Sequence, residues 1–135
     1  MALGRWLRVL VALWVTFAAA GCAGVVTTAS GQRLAITSPE FRDYVEQVFR
    51  RQNQTVTDLA FALEDAPPGD STSSVALASA ESTLLDACAG LNQLATARRD
   101  QQRLGSRRQA EAARQAPRCE AATAKARAAL DQAGQ

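Results

Sequence analysis

Apolar side chains recur at helical spacing over most of this chain. Phe41, Tyr44, Val45, Val48, Phe49, Gln52, Val56, Leu59, Ala60 and Leu63 follow one another at short helical intervals. They draw one stripe down a helix, with Gln52 as its polar interruption. Ser38 suits the cap, Pro39 the first helical position and Glu40 the positive end of the helix dipole. Pro67, Pro68 and Gly69 end the pattern, so the spacing predicts a helix over about 39–65. After a polar linker from Asp70 to Ser74, a second stripe runs through Leu77, Leu84, Leu85, Cys88, Leu91, Leu94 and Ala95. It predicts a helix over about 73–103 whose last turns, from Arg98 to Arg103, are polar and exposed.

A turn is expected at Leu104-Gly105-Ser106. Gly105 suits the left-handed end of a helix, and Ser106 with Gln109 fits a capping box. A third helix over about 107–132 is built on Ala110, Ala112, Ala113, Ala116, Ala121, Ala122, Ala124, Ala126, Ala128, Ala129 and Leu130. Alanine favours the helix but buries little area. Pro117 removes one backbone hydrogen bond and either kinks this rod or starts a new one. The cysteines favour the turn at Gly105. Cys88 lies 17 residues before it and Cys119 14 after it, at depths of about 25 and 21 Å in an antiparallel hairpin. A turn at Pro117 would part them by about 40 Å, and a disulfide needs Cα atoms within about 7 Å.

The N-terminus carries a different pattern. Arg5 and Arg8 make a positive start, and the apolar run from Leu7 to Ala20 is interrupted only by Arg8 and Thr16. Small residues follow, Ala18-Ala19-Ala20-Gly21, and then Cys22. That is the layout of a secretory signal. The run Ala19-Ala20-Gly21-Cys22 resembles the lipobox of bacterial lipoprotein precursors, with Ala19 where leucine is usual. The resemblance covers residues 1–22. It implies cleavage between Gly21 and Cys22, diacylglyceryl transfer to the Cys22 thiol and acylation of the new amine, with palmitate among the acyl chains. Two or three chains hold a protein on a bilayer where one holds it only marginally. Cleavage after Ala20 would instead release a soluble protein, and an uncleaved signal would leave a single membrane anchor. Lipoproteins of this class without aspartate after the lipidated cysteine go to the outer membrane of a two-membrane cell, facing the periplasm; here that residue is Ala23. Residues 22–37, with Gly24, Thr27, Thr28, Ser30 and Gly31 and no strong period, are expected to form a flexible tether about 20 Å in mean reach.

Removal of residues 1–21 leaves 114 residues, one small domain spanning 38–135 beyond its tether. It also removes Arg5 and Arg8 from the 15 bases, leaving 13 against 13 acids. A neutral exported domain does not fit nucleic-acid binding, which wants a basic one. The charges are segregated. Nine acids from Glu40 to Asp86 face three arginines, and nine bases from Arg98 to Asp131 face four acids. Either the acidic and basic helices neutralise one another, or the C-terminal basic face meets an acidic partner or anionic headgroups.

Three cysteines are present. Assigning Cys22 to lipid leaves Cys88 and Cys119 as an even pair, and an oxidising compartment favours a disulfide between them. No Cys-x-x-Cys spacing suggests a redox pair. The chain has no histidine, so the usual general base and the commonest metal ligand are missing, and no metal site or cofactor is expected. Glu64 and Asp65 lie at a helix end, and Glu81 and Asp86 on a polar flank, so a non-enzymatic role is expected. Phe61 lies off the first stripe, either widening the buried face or anchoring a partner.

The fold class expected is therefore all-α: a small antiparallel three-helix bundle with a helix-hairpin disulfide, after a signal peptide and flexible tether. The expected function is that of a lipid-anchored cell-envelope lipoprotein with a structural or adaptor role through its helix surfaces, contacting membrane lipid and another envelope protein. Two other roles stay open. In size, anchor, helicity and disulfide the chain resembles secretin pilotins, which escort an outer-membrane secretion component and need an apolar groove for a partner helix. A periplasmic ligand-binding or inhibitor module would need a closed pocket with converging polar groups.

Overall fold

A computed structural model describes residues 24–66 and 71–134 of the chain. The signal segment 1–21, the cleavage site at Gly21 and Cys22, and the Pro67-Pro68-Gly69 stop all lie outside them. Among the described residues are a two-stranded antiparallel sheet, β1 (Val25–Thr27) and β2 (Arg33–Ala35), and three helices, α1 (Pro39–Glu64), α2 (Ser71–Arg99) and α3 (Ser106–Ala133). All three helices form where the periodicity places them, and the protein is a three-helix bundle.

The start of α1 follows its sequence. The Ser38 hydroxyl accepts a hydrogen bond from the Phe41 amide at 3.1 Å, Pro39 occupies the first turn, and Glu40 sits there with it. Phe41, Val48 and Leu59 from the stripe are buried. So are Gln52, whose Oε1 has no partner among the described residues, and Thr55, whose hydroxyl donates to the Arg51 carbonyl. The polar interruption is thus inside the core, where an unpaired amide oxygen costs about 1–3 kcal/mol. Ala60 is exposed instead. On α2, Leu77, Leu84, Cys88 and Leu91 are buried, whereas Leu85 is 42% exposed. Leu84 takes the inward position of that adjacent pair, because neighbours on a helix point about 100° apart.

The α3 seam is Ala112, Ala116, Cys119, Ala122 and Ala126, all buried at steps of three and four. Small side chains let α3 come close to α2, and these two helices share the most extensive packing of the bundle. α3 runs unbroken through Pro117, so the helix tolerates the loss of one N–H donor rather than ending there.

The turn between α2 and α3 differs in detail from its prediction. α2 stops at Arg99, not near residue 103. Gln101 takes the left-handed conformation, with φ of 56°. Its amide donates to the Arg98 carbonyl and the Gln102 amide to the Ala97 carbonyl, which closes the helix end. Gly105, with φ of −60° and ψ of 150°, is instead the extended cap of α3 and supplies no side-chain cap bond. Ser106 is already helical, so the capping box does not form; the Gln109 side chain donates to the Leu104 carbonyl instead. A glutamine in the left-handed region carries a Cβ penalty that glycine escapes. Gln101→Gly is expected to raise unfolding free energy by about 1 kcal/mol, read from the urea midpoint at unchanged slope.

The segment expected as a tether is not a random coil over its described part. Val25 to Thr27 pairs with Arg33 to Ala35 in the register Val25–Ala35, Val26–Leu34 and Thr27–Arg33. A turn joins the strands: the Gly31 amide donates to the Thr28 carbonyl, and Gly31 has φ of 87°. The Thr28 hydroxyl accepts from the Gln32 amide. Val26 and Leu34 point inward and form a second apolar cluster with Phe41 and Ala113. Burying those two side chains is what turns a linker composition into an ordered hairpin, at about 1.5–3 kcal/mol each.

Candidate functional site

Three features concentrate the chemistry of the chain: the thiols, a carboxylate clasp, and a groove between α1 and α3. The thiols follow from the hairpin of α2 and α3. Cys88 and Cys119 are fully buried and joined as a disulfide, with Cα atoms 4.6 Å apart. The nearly equal depths that the sequence predicts for them place the bridge. Cys22 lies outside the described residues; Gly24, two residues on, is already beside the hairpin, its carbonyl accepting from the Ile36 amide at 2.8 Å.

The clasp is built on Glu120. Cys119 is turned toward α2 by the bridge, and the next residue on a helix points about 100° away. That rotation aims Glu120 at α1 and the hairpin. Its Oε2 accepts the Tyr44 hydroxyl at 2.7 Å and the Ala29 amide at 3.0 Å. One half-buried carboxylate oxygen thus ties the tip of the hairpin and α1 to α3. Neither partner was legible from sequence, since they stand 76 and 91 residues away. The signal available was an acid next to Cys119 in a predominantly basic, alanine-rich helix.

Partial burial, the hydrogen bond to Glu120 and the negative charge of that carboxylate all push the Tyr44 phenol well above its usual range. The folded phenol therefore holds its proton more tightly than the unfolded one. Its contribution to stability is complete below about pH 10 and is lost as the pH rises beyond it. Tyr44 is the sole tyrosine of the chain, so alkaline absorbance titration reads it alone. No tyrosinate is expected near pH 10 in the native protein, and a midpoint near 10 is expected in denaturant. A native midpoint equal to the denatured one would show that the clasp is open. Tyr44→Phe is expected to lower stability by about 1 kcal/mol at neutral pH.

The groove between α1 and α3 has a volume of about 600 Å³. It exists because α3 presents Ala121, Ala124 and Ala128 along this side, leaving space where larger residues would fill. Val48, Thr55 and Thr123 form its buried floor. The threonine hydroxyls donate to the carbonyls of Arg51 and Cys119 one turn earlier, so their protons are already used within their own helices. Charge lies on the rim, at Arg51, Glu120 and the Arg127–Asp58 ion pair. The groove is half-enclosed, mostly apolar in its lining and charged at its edges.

The acids weighed from sequence do not converge. Glu64, Asp65 and Asp86 are exposed, and Glu81 is half-buried. Phe61 is 61% exposed and does not join the core. Among the described residues, no three histidine, cysteine, aspartate or glutamate side chains are grouped as a metal site, and no helix is long and apolar enough to cross a membrane. Comparison with protein-family models, curated proteins and solved structures finds no match to this chain.

Proposed function

We propose that the protein is a lipid-anchored lipoprotein of the bacterial cell envelope, non-catalytic, acting as a structural or adaptor component through its helix surfaces. The observation that carries this reading is the cysteine arrangement. Cys88 and Cys119 pair with each other in the core, which leaves Cys22, at the end of a lipobox-like run, as the third and unpaired cysteine of the count. Acylation there holds the domain on a membrane, the outer membrane facing the periplasm where the source has two.

The α1–α3 groove supports contact with a protein segment over a small ligand. A ligand site needs polar groups converging inside an enclosed space, and here the floor hydroxyls are turned to their own backbone. The charged rim and narrow alanine-lined base suit side chains of a partner chain. A pilotin-like role needs a wide apolar groove for a whole helix, and this groove supports it less well than a general adaptor role.

Labelled palmitate is expected to enter the wild-type protein in its native host and to be absent from Cys22→Ser. Equal labelling of the two removes the lipoprotein reading. A photo-crosslinking residue at Ala124, in the groove, is expected to capture an envelope protein that the same group at Leu85, exposed on α2, does not.

A further inference from the structure

The bundle is charged by end as well as by segment. α1 rises from Pro39, α2 descends and α3 rises again, so the turn between α2 and α3 lies at the end where α1 begins. That turn and its flanks carry Arg98, Arg99, Arg103, Arg107 and Arg108, all exposed. One acid, Asp100, lies among them, paired with Arg99 at 3.0 Å. Among the described residues the other four arginines meet no carboxylate within ion-pair distance. The start of α1 adds Arg42 and, from β2, Arg33 against Glu40 and Asp43, and the second turn of α3 adds Glu111, which still leaves the excess of arginine at the turn. The opposite end carries Glu64, Asp65 and Asp131.

The hairpin fixes which end the N-terminal segment leaves from. Its tip meets Glu120 through Ala29, and Val26 packs in one cluster with Ala113. Three strand residues and seven helical residues both span about 10 Å, so β1 rises alongside α3. Continuing down two strand residues, Gly24 falls about 7 Å below Val26, level with residues 108–109 of α3. Cys22 is two residues further along the chain.

We propose that this arginine-rich end, Arg98 to Arg108, seats on anionic phospholipid headgroups and holds the bundle end-on against the bilayer. The inference rests on the anchor at Cys22. With Ala23 alone between Cys22 and the hairpin's first described residue, an acyl group there keeps the end of the bundle within reach of the headgroup layer, and the arginines' attraction to anionic headgroups is what seats it there. Guanidinium groups pair with phosphate in a fork geometry, and their stems lie along the interface. Each arginine held at an anionic surface shifts partitioning on the order of fivefold.

The test uses the full lipidated chain, carrying Ser106→Cys with an environment-sensitive fluorophore at the turn, or Gln132→Cys with the same group at the far end. Cys22 is acylated and Cys88–Cys119 is closed, so the added thiol alone takes the label. The proteins are reconstituted in phosphatidylcholine vesicles, with and without phosphatidylglycerol, and quenched from a headgroup-level spin label. Quenching at position 106 is expected in anionic vesicles, reversed by high salt and lost in the triple variant Arg103→Gln, Arg107→Gln, Arg108→Gln at unchanged helicity. Position 132 is expected to stay unquenched throughout. Equal quenching at 106 in neutral and anionic vesicles overturns the proposal, as does quenching of 132 equal to that of 106. Protection of 106 only in native envelopes, pointing to an acidic protein, overturns it too. Flotation with neutral vesicles reports the anchor separately: its loss removes the anchor and the seating together, whereas quenching lost with flotation intact removes the seating alone.

Discussion

Replacing both Cys88 and Cys119 by alanine is expected to lower the unfolding free energy by about 3–4 kcal/mol. The bridge spans a sequence separation of 31 residues. Closing a loop of that size in the unfolded chain removes about 12 cal/mol/K, or roughly 3.7 kcal/mol at room temperature. Against a total of about 5–15 kcal/mol for a domain, that is a large share, and the melting temperature is expected to fall on the order of 15 °C. The effect acts mainly through the unfolded state, which gives a second readout. The unbridged chain expands further on unfolding, so its urea slope should rise while native helicity stays the same. A loss below about 1 kcal/mol at unchanged slope would mean that α2 and α3 hold each other without the bridge. The same test applied to dithiothreitol-treated wild type separates the covalent link from the packing of the two sulfurs. Reduction keeps both side chains in place and should reproduce most of the loss.

The parts of this fold that were legible in the sequence are those whose cause is local. A stripe such as Phe41, Val48 and Leu59 repeats often enough to declare a helix, and Ser38-Pro39-Glu40 declares its start. The disulfide was legible because helical rise converts residue count into depth. The hairpin was not, since three-residue strands hold too few alternations to stand out from a linker. Val26 and Leu34 become informative only when Phe41 and Ala113 are there to cover them. The α2–α3 turn was placed correctly and detailed wrongly for a related reason. Glycine is the favoured left-handed residue, but α2 ends at Arg99, six residues before Gly105, and the left-handed position falls on Gln101. The Glu120 clasp joins three segments far apart in the chain, and its existence depends on a rotation that the bridge at Cys119 sets.

The same rotation links stability to the surfaces proposed for function. Cys119 faces α2, and Glu120 therefore faces the hairpin tip and borders the groove. A change that loosens the α2–α3 seam is then expected to reach the hairpin that follows Cys22 in the chain and the groove proposed as a partner surface.

Leu59→Ala and Leu84→Ala are expected to be the most damaging single side-chain truncations, each costing about 3–5 kcal/mol in urea unfolding. Both leucines are fully buried, and they are the largest wholly enclosed apolar side chains of the described residues. Their surroundings make the cost high within its range. The facing wall is the alanine seam of α3, whose methyl groups have no rotamers with which to refill a void, so the cavity persists rather than collapsing. The two sites should differ in how they combine with loss of the disulfide. Leu84 stands one helical turn before Cys88, and removing the bridge lets α2 and α3 shift locally to close the gap. The double change should therefore cost less than the sum of its parts. Leu59 lies near the far end of α1, opposite the first turns of α2 and about 16 Å along the axis from the bridge. Its cost should add to that of the disulfide within about 0.5 kcal/mol. Equal additivity at both positions would show that the seam is held by its alanines and that the bridge is a tether on the unfolded chain alone.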